Sequence, residues 1–276
     1  MTLDERLAAL DASLRSYGAV VVAFSGGADS AFVVAAAARA LGPAAVVAAT
    51  AVSPSLPGHE LDAAAAFAAS LGVRHVTPAT DELSRDGYRA NAGDRCFFCK
   101  AELLDTLRPL ADGLGIATIA TGTNADDAVA GFRPGIRAAA ERGAVTPLRD
   151  NGFTKADVRA ASRAWGLPTW DKPAAACLAS RVAFGIEITP SRLARVERAE
   201  AAARAHLAAR GVPVRDLRVR DLGARARLEV DGDLVGAAVA SGVAEAVGAA
   251  GFGGVDVEAF RSGSMNELLP DPERWR

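Results

Sequence analysis

The sequence predicts an α/β fold, a parallel-sheet domain over residues 1–185 followed by a smaller α+β domain over residues 186–276. Three observations carry this expectation. Short apolar runs alternate with helix-like segments, the rhythm of βαβ units. The first of these runs is apolar at every position, as in a strand buried on both faces. Near residue 186 the composition changes to a long helical stretch followed by two alternating strands, an Ala-rich helix and a last strand.

Leu3, Leu7, Leu10 and Leu14 recur at helical spacing, and AVVVAF (19–24) then reads as a strand. SGGADS (25–30) is a turn, and Ala31 to Leu41 is helical up to the stop at Gly42-Pro43. A strand at 44–52, a helix at 59–72 and a strand at 73–78 follow. Residues 81–95 read as irregular, Phe97 to Leu110 as helix and 116–121 as strand. TGTNADDAVAGFRPG (121–135) is too rich in Gly, Asp and Pro for a regular element. Thr154 and Asp157 fit an N-cap and N3 pair for a helix reaching Trp165. The second domain reads as helix 191–210, strands 213–220 and 224–230, helix 233–249 and strand 252–258.

With 33 acidic and 31 basic residues in 276, half of them apolar, the chain is neither a polyelectrolyte nor a basic nucleic-acid binder. Charges and glycines interrupt every apolar run before the roughly 18 residues that a membrane span needs. The first residues carry acids at helical spacing instead of a basic segment ahead of an apolar one, so a cytoplasmic protein is expected. Its Ala-rich helices offer flat faces for self-association, and a homo-oligomer is expected. Only Lys100, Lys155 and Lys172 are lysine. In so Arg-rich a chain, a retained lysine is informative.

Ser25-Gly26-Gly27-Ala28-Asp29-Ser30 stands between a buried strand and a helix. Two glycines let the backbone turn its amides onto an anion, and the helix N-terminus adds favourable partial charge. Phosphate is the expected ligand. No Walker A string and no GxGxxG occurs, so a P-loop kinase or a dinucleotide fold is excluded. AFSGGADS resembles the SGGxDS pyrophosphate loop (PP-loop) of the ATP pyrophosphatases, adenine nucleotide alpha hydrolase-like proteins that use ATP and Mg2+ and transfer AMP to an oxygen. The resemblance implies that Ser25, Gly26, Gly27, Asp29 and Ser30 hold pyrophosphate, with Phe24 and Thr50 to Ser53 beside the nucleotide.

Cys96 and Cys99 stand at CxxC spacing, and Cys177 is the third cysteine of the chain. The pair by itself reads as a redox pair, half a zinc site or two packed thiols. His59, His75 and His206 have no paired spacing to it, whereas three thiolates with an open fourth position suit an iron-sulfur cluster. SPSLP (53–57), DRCFFCK (94–100), TGTNADD (121–127), FRPG (132–135), KPAAACLASR (172–181) and RSGSMN (261–266), in this order, are similar to the LarE family. Its members are sulfurtransferases that prepare the nickel-pincer cofactor of lactate racemase.

That resemblance implies adenylation of a carboxylate of pyridinium-3,5-biscarboxylic acid mononucleotide, then sulfur displacing AMP to leave a thiocarboxylate. It implies a 4Fe-4S cluster on Cys96, Cys99 and Cys177, with sacrifice of the Cys177 sulfur as the alternative. Ser180, Arg181, Arg218, Arg220 and Arg261 would bind substrate, with Glu200 facing the reacting group. Lys100, Gly122 and Asp127 would lie at the nucleotide. Asp126 and Asp127 read either as Mg2+ ligands or as residues ordering the loop before Arg133, and Gly131 stands where an acid is expected. A tRNA thiolation enzyme, an ammonia-using synthetase domain and a non-catalytic AMP-binding protein remain competing readings.

Overall fold

The computed structural model describes residues 1–129, 133–173, 176–261 and 263–269. In chain order the elements are α1 (Leu3–Tyr17), β1 (Val20–Ala23), α2 (Ala28–Leu41), β2 (Val46–Ala49), α3 (Gly58–Ser70), β3 (Arg74–Val76), α4 (Asp86–Arg89), α5 (Arg95–Gly113) and β4 (Thr118–Thr121). They continue with α6 (Ala125–Val129), α7 (Pro134–Glu141), α8 (Pro147–Asp150), α9 (Lys155–Ala164), α10 (Pro190–Ala209), β5 (Leu217–Asp221), β6 (Ala226–Val230), α11 (Val235–Ala240), α12 (Val243–Gly248) and β7 (Val255–Ala259). The chain divides into two compact units, Met1–Glu82 with Cys96–Ala175 and Leu83–Arg95 with Ala176–Arg276.

The first unit is α/β, with an all-parallel sheet in the order β3-β2-β1-β4. Val20 and Val22 of β1 face a core with Leu10, Leu14, Phe32 and Val158, while Val21 and Ala23 face Leu104 and Leu107. Both faces of β1 are therefore dry, and its unbroken apolar run follows from that. Helix α2 is buried at nearly every position from Ser30 to Ala40, Phe32, Val33 and Val34 as well as its alanines, as a helix apolar on all sides requires. Thr154 and Asp157 form the expected capping box at the start of α9. The strand order reverses between β1 and β4, which follow opposite routes from the middle of the sheet. In open α/β sheets the crevice beyond the carboxyl ends at such a reversal is where ligands bind.

The second unit carries a three-stranded sheet, β5 antiparallel to β6 and β6 parallel to β7. Leu193, Val196, Ala199, Ala203 and Leu207 give α10 its buried stripe. The sequence puts the domain boundary after residue 185, whereas residues 83–95 and 176–185 group with the C-terminal chain. The side chains explain this grouping: buried Asn91 donates its amide to the carbonyls of Val182, Ala183 and Ile186, and Arg95 Nη1 donates to Ala179 O at 3.0 Å.

Three local expectations are corrected. The helix expected over 233–249 is two, because Gly242 takes a left-handed φ of 77° that breaks the ladder. The irregular stretch 121–135 contains α6 and the start of α7, whose first position is taken by Pro134. The strand expected over 44–52 is shortened by a 3-10 turn at Pro43–Ala45.

Candidate functional site

SGGADS leaves β1 and TGTNADD leaves β4, so the sheet reversal brings together two motifs far apart in sequence. Gly26 turns the chain at a φ of 73°, and Gly27 caps α2. The Ser30 hydroxyl bridges the loop, donating to Gly27 O at 3.1 Å while the Ser25 N–H donates to it at 3.2 Å. Gly122 meets the first turn of α2 so closely that a Cβ there would lie 2.7 Å from Ser30 N. Glycine is thus required by packing at the start of the β4 loop.

Asp29 is the unusual group. Its Oδ1 is buried without a hydrogen-bond partner among the described residues, and so is Nδ2 of the neighbouring Asn124. Burial, with Asp127 adding to it, pushes the Asp29 carboxyl above its ordinary range, while Lys155, Asn124 and Arg159 pull it down. An unsatisfied buried carboxylate oxygen beside a glycine turn fits a divalent cation carried by a triphosphate. Asp127 itself orders the loop, exchanging backbone bonds with Asn124 and pairing with Arg133 at 3.5 Å, and Asp126 accepts the first N–H of α9. The expected departure at Gly131, together with Phe132 of FRPG, lies outside the described residues.

Thr50 uses its hydroxyl internally, donating to Phe24 O at 2.8 Å. Since the one hydroxyl proton goes there, His75 Nε2 at 2.8 Å must carry the proton of that second bond. Burial lowers the pKa of His75, in keeping with a neutral ring. Thr50 therefore ties the ends of β1, β2 and β3 beneath the loop.

Lys172 was not among the expected site residues, yet its Nζ donates to Gly26 O at 3.0 Å and to Glu60 Oε2 at 2.6 Å. Two sequence signals point to it, the scarcity of lysine in an Arg-rich chain and its place at the head of the KPAAACLASR string. Lys100 is half-buried, and desolvation lowers its pKa against the opposing pull of the Cys99 and Cys96 thiols.

Cys96 is exposed and Cys99 half-buried at the start of α5, both in the first unit. Cys177, also half-buried, belongs to the second. Neither unit, among the described residues, gathers three His, Cys, Asp or Glu side chains as a metal-holding set. The two thiols of the first unit do not by themselves fit a cubane cluster, which needs three or four ligands.

Around Cys177 the second unit builds a cationic site. Arg181 donates from Nε to Glu200 Oε1 at 2.9 Å and from Nη1 to Cys177 O at 3.0 Å and to Ala176 O. Ser180 Oγ also donates to Cys177 O, at 2.7 Å. Both side chains therefore hold the Cys177 turn. Arg218 and Arg220 share one face of β5, opposite Glu229 and Arg227 of β6, and both are buried. Burial, then the charge of Arg181, lowers the pKa of Arg218. Glu200 is buried beside them and not solvated on a helix face. Arg261 is exposed and pairs with Glu267 at 2.8 Å, and Ser262 of its RSG string lies outside the described residues. Glu229 and Ser264, both buried in this site, were not singled out by sequence reasoning. Glu229 reads as one polar position of an alternating strand, and only the string RSGSMN pointed to Ser264.

Comparison with known proteins agrees with this architecture. The NAD synthase family model matches residues 3–89, the stretch that holds β1, the glycine turn, β2 and β3. An uncharacterized protein of Synechocystis sp. is 42% identical over 255 residues, 90% of this chain and 92% of that one. Pyridinium-3,5-bisthiocarboxylic acid mononucleotide synthase of Lactiplantibacillus plantarum is 34% identical over 272 residues, 97% of this chain and 96% of the relative. No helix among the described residues is long and apolar enough to cross a membrane. With a PP-loop at the sheet reversal and that identity along nearly its full length, the chain belongs to the LarE family.

Proposed function

We propose that this protein is an ATP-dependent sulfurtransferase that adenylates a carboxylate of pyridinium-3,5-biscarboxylic acid mononucleotide and converts it to a thiocarboxylate, toward the nickel-pincer cofactor of lactate racemase. One observation carries the substrate class. Arg181, Arg218 and Arg220 are buried close to one another, Arg181 against Glu200 and Arg220 against Glu229, a set of guanidinium groups whose planar N–H donors match phosphate and carboxylate oxygens. A nucleotide phosphate and ring carboxylates supply those oxygens. The relative from Lactiplantibacillus plantarum is named for the synthesis of the corresponding bisthiocarboxylic acid mononucleotide.

In this reading the loop amides of Gly26 and Gly27 and the start of α2 hold the β and γ phosphates, and Lys172 steadies the turn from behind. Asp29 Oδ1 would hold Mg2+, which offsets charge building on departing pyrophosphate. The substrate carboxylate oxygen bonds to the α phosphorus as the bond to pyrophosphate breaks. Sulfur then attacks the acyl carbon and AMP leaves with the oxygen, the better leaving group.

The sulfur is carried either on a cluster held by the cysteines or by Cys177 itself. The presence of all three cysteines supports a 4Fe-4S cluster on Cys96, Cys99 and Cys177 that carries the sulfur as sulfide. In the alternative reading the Cys177 thiolate attacks the acyl carbon as AMP leaves, and its Cβ–S bond then breaks with loss of the Cα proton, leaving the thiocarboxylate on the substrate and dehydroalanine at position 177. Anaerobic purification followed by iron and acid-labile sulfide analysis separates them. For the reaction, the mononucleotide is mixed with Mg-ATP, and AMP, pyrophosphate and a product with oxygen replaced by sulfur are expected. Pyrophosphate released only when tRNA is added would favour tRNA thiolation instead. No pyrophosphate with either substrate would leave an AMP-binding protein.

A further inference from the structure

Glu229 is buried at 1% exposure on β6, and both of its oxygens are committed. Its Oε2 accepts the Arg220 Nε–H at 2.9 Å and lies 2.7 Å from Arg220 Nη2, a close ion pair on one edge of the guanidinium. Its Oε1 accepts the Ser264 hydroxyl at 2.8 Å and lies 3.8 Å from Arg227 Nη1. Ser264 is itself buried and begins a 3-10 turn whose entry, Gly263, takes a left-handed φ of 82°. On the other side, Arg220 Nη1 donates to Ser180 O at 3.3 Å.

A guanidinium has five N–H bonds. Arg220 gives its Nε–H to Glu229 and one Nη1 N–H to Ser180 O, which leaves N–H bonds on its terminal nitrogens for the oxygens of a phosphate or carboxylate. A guanidinium on a long stem would otherwise sample several rotamers, and each costs binding free energy when it is frozen.

We propose that Glu229 and Ser264 are positioning residues that hold Arg220 with its terminal N–H bonds presented to the phosphate of the mononucleotide. The C-terminal RSGSMN string thereby acts through Ser264 on the substrate site. This inference rests on the reading that Arg220 meets the substrate phosphate. It has an opposite-sign alternative. If Glu229 served only to balance charge, replacing it by Gln would leave the face more positive and tighten anion binding. If it positions Arg220, the same replacement weakens binding despite the added net charge.

The test is calorimetric binding of the mononucleotide, and of the matching nucleoside without phosphate, to the full-length wild type, Ser264→Ala, Ser264→Thr and Glu229→Gln. Wild type is expected to prefer the nucleotide. In Ser264→Ala and Glu229→Gln that preference should fall about tenfold, the scale of one charge-assisted hydrogen bond, while nucleoside affinity stays unchanged. Ser264→Thr, which keeps the hydroxyl, should restore the preference. Ser264→Ala leaves every buried charge paired, so it reports even if Glu229→Gln folds poorly. An unchanged preference in Ser264→Ala, or a raised one in Glu229→Gln, overturns the positioning role. A wild type indifferent to the phosphate overturns the phosphate reading itself, and the inference falls with it.

Discussion

Glu200 Oε1 accepts the Arg181 Nε–H at 2.9 Å and the Val219 backbone N–H at 3.0 Å, so one buried oxygen joins the Cys177 turn to β5. Arg181 in turn grips the Cys177 carbonyl. The carboxylate thus works through a neighbour: it sets the direction of Arg181, and Arg181 sets the backbone that carries the thiol.

Glu200→Ala is therefore expected to destabilise the protein by about 3–5 kcal/mol, because it leaves the Arg181 charge buried without a counter-ion. Glu200→Gln keeps an acceptor for Val219 and should cost less. Urea denaturation of both variants checks the order. Equal and negligible losses would show that water, not protein, satisfies Arg181.

Asp29→Asn should separate activity from stability. If Asp29 holds the cation as proposed, loss of the carboxylate should lower AMP formation by at least about a hundredfold. The fold should not suffer, since Oδ1 has no partner to lose. Burial raises the Asp29 pKa above its unfolded value, so the folded state binds this proton more tightly. Whatever stability that gives is full below the unfolded pKa and disappears as pH rises through the folded one. Thermal melts without nucleotide should therefore show wild type losing ground to Asp29→Asn as pH climbs above the carboxylate range. A wild type that gains on Asp29→Asn as pH rises through this range would contradict the assignment.

Gly122→Ala places a methyl 2.7 Å from Ser30 N and 2.9 Å from Ser30 Cα, both backbone atoms at the start of α2. The helix cannot yield as a side chain would. A loss of about 1–3 kcal/mol is expected, as for other overpacked sites, with a rise in KM for ATP as the loop is displaced. Pyrophosphate-release kinetics measure it, and an unaffected KM would mean the loop and α2 move together.

Lys172→Ala removes the cation between Gly26 O and Glu60. With Glu60 left half-buried and only the His59 ring 3.7 Å away, KM for ATP should rise about tenfold, the scale of one charge-assisted bond. Lys172→Arg should not restore it, because a planar fork does not replace a compact ammonium held by two acceptors at 2.6 and 3.0 Å. If Glu60→Gln in the Lys172→Ala background brought the KM back, the defect would trace to the stranded carboxylate.

Much of the fold was legible because its signals are local. The unbroken VVVA of β1 and the Thr154 and Asp157 cap each depend on residues within one or two turns. The glycine turn was legible for the same reason, since Gly26 needs its left-handed φ whatever surrounds it. Lengths and breaks were less so. The helix expected over 233–249 reads as continuous in composition, and only the conformation of Gly242 interrupts it.

The sequence by itself determined which chemistry this protein carries: a phosphate-binding turn, three thiols and guanidinium groups in alternation on a strand. Only the tertiary structure decided which of those groups are already occupied by one another. Arg261 pairs with Glu267 on the surface, whereas Lys172 reaches Gly26 and Ser264 reaches Glu229 across long stretches of chain. The physical reason is that a side chain's partner is set by burial and by sheet order. Hydrogen bonds between residues 35 or 146 positions apart leave no periodicity in the sequence from which they could be read.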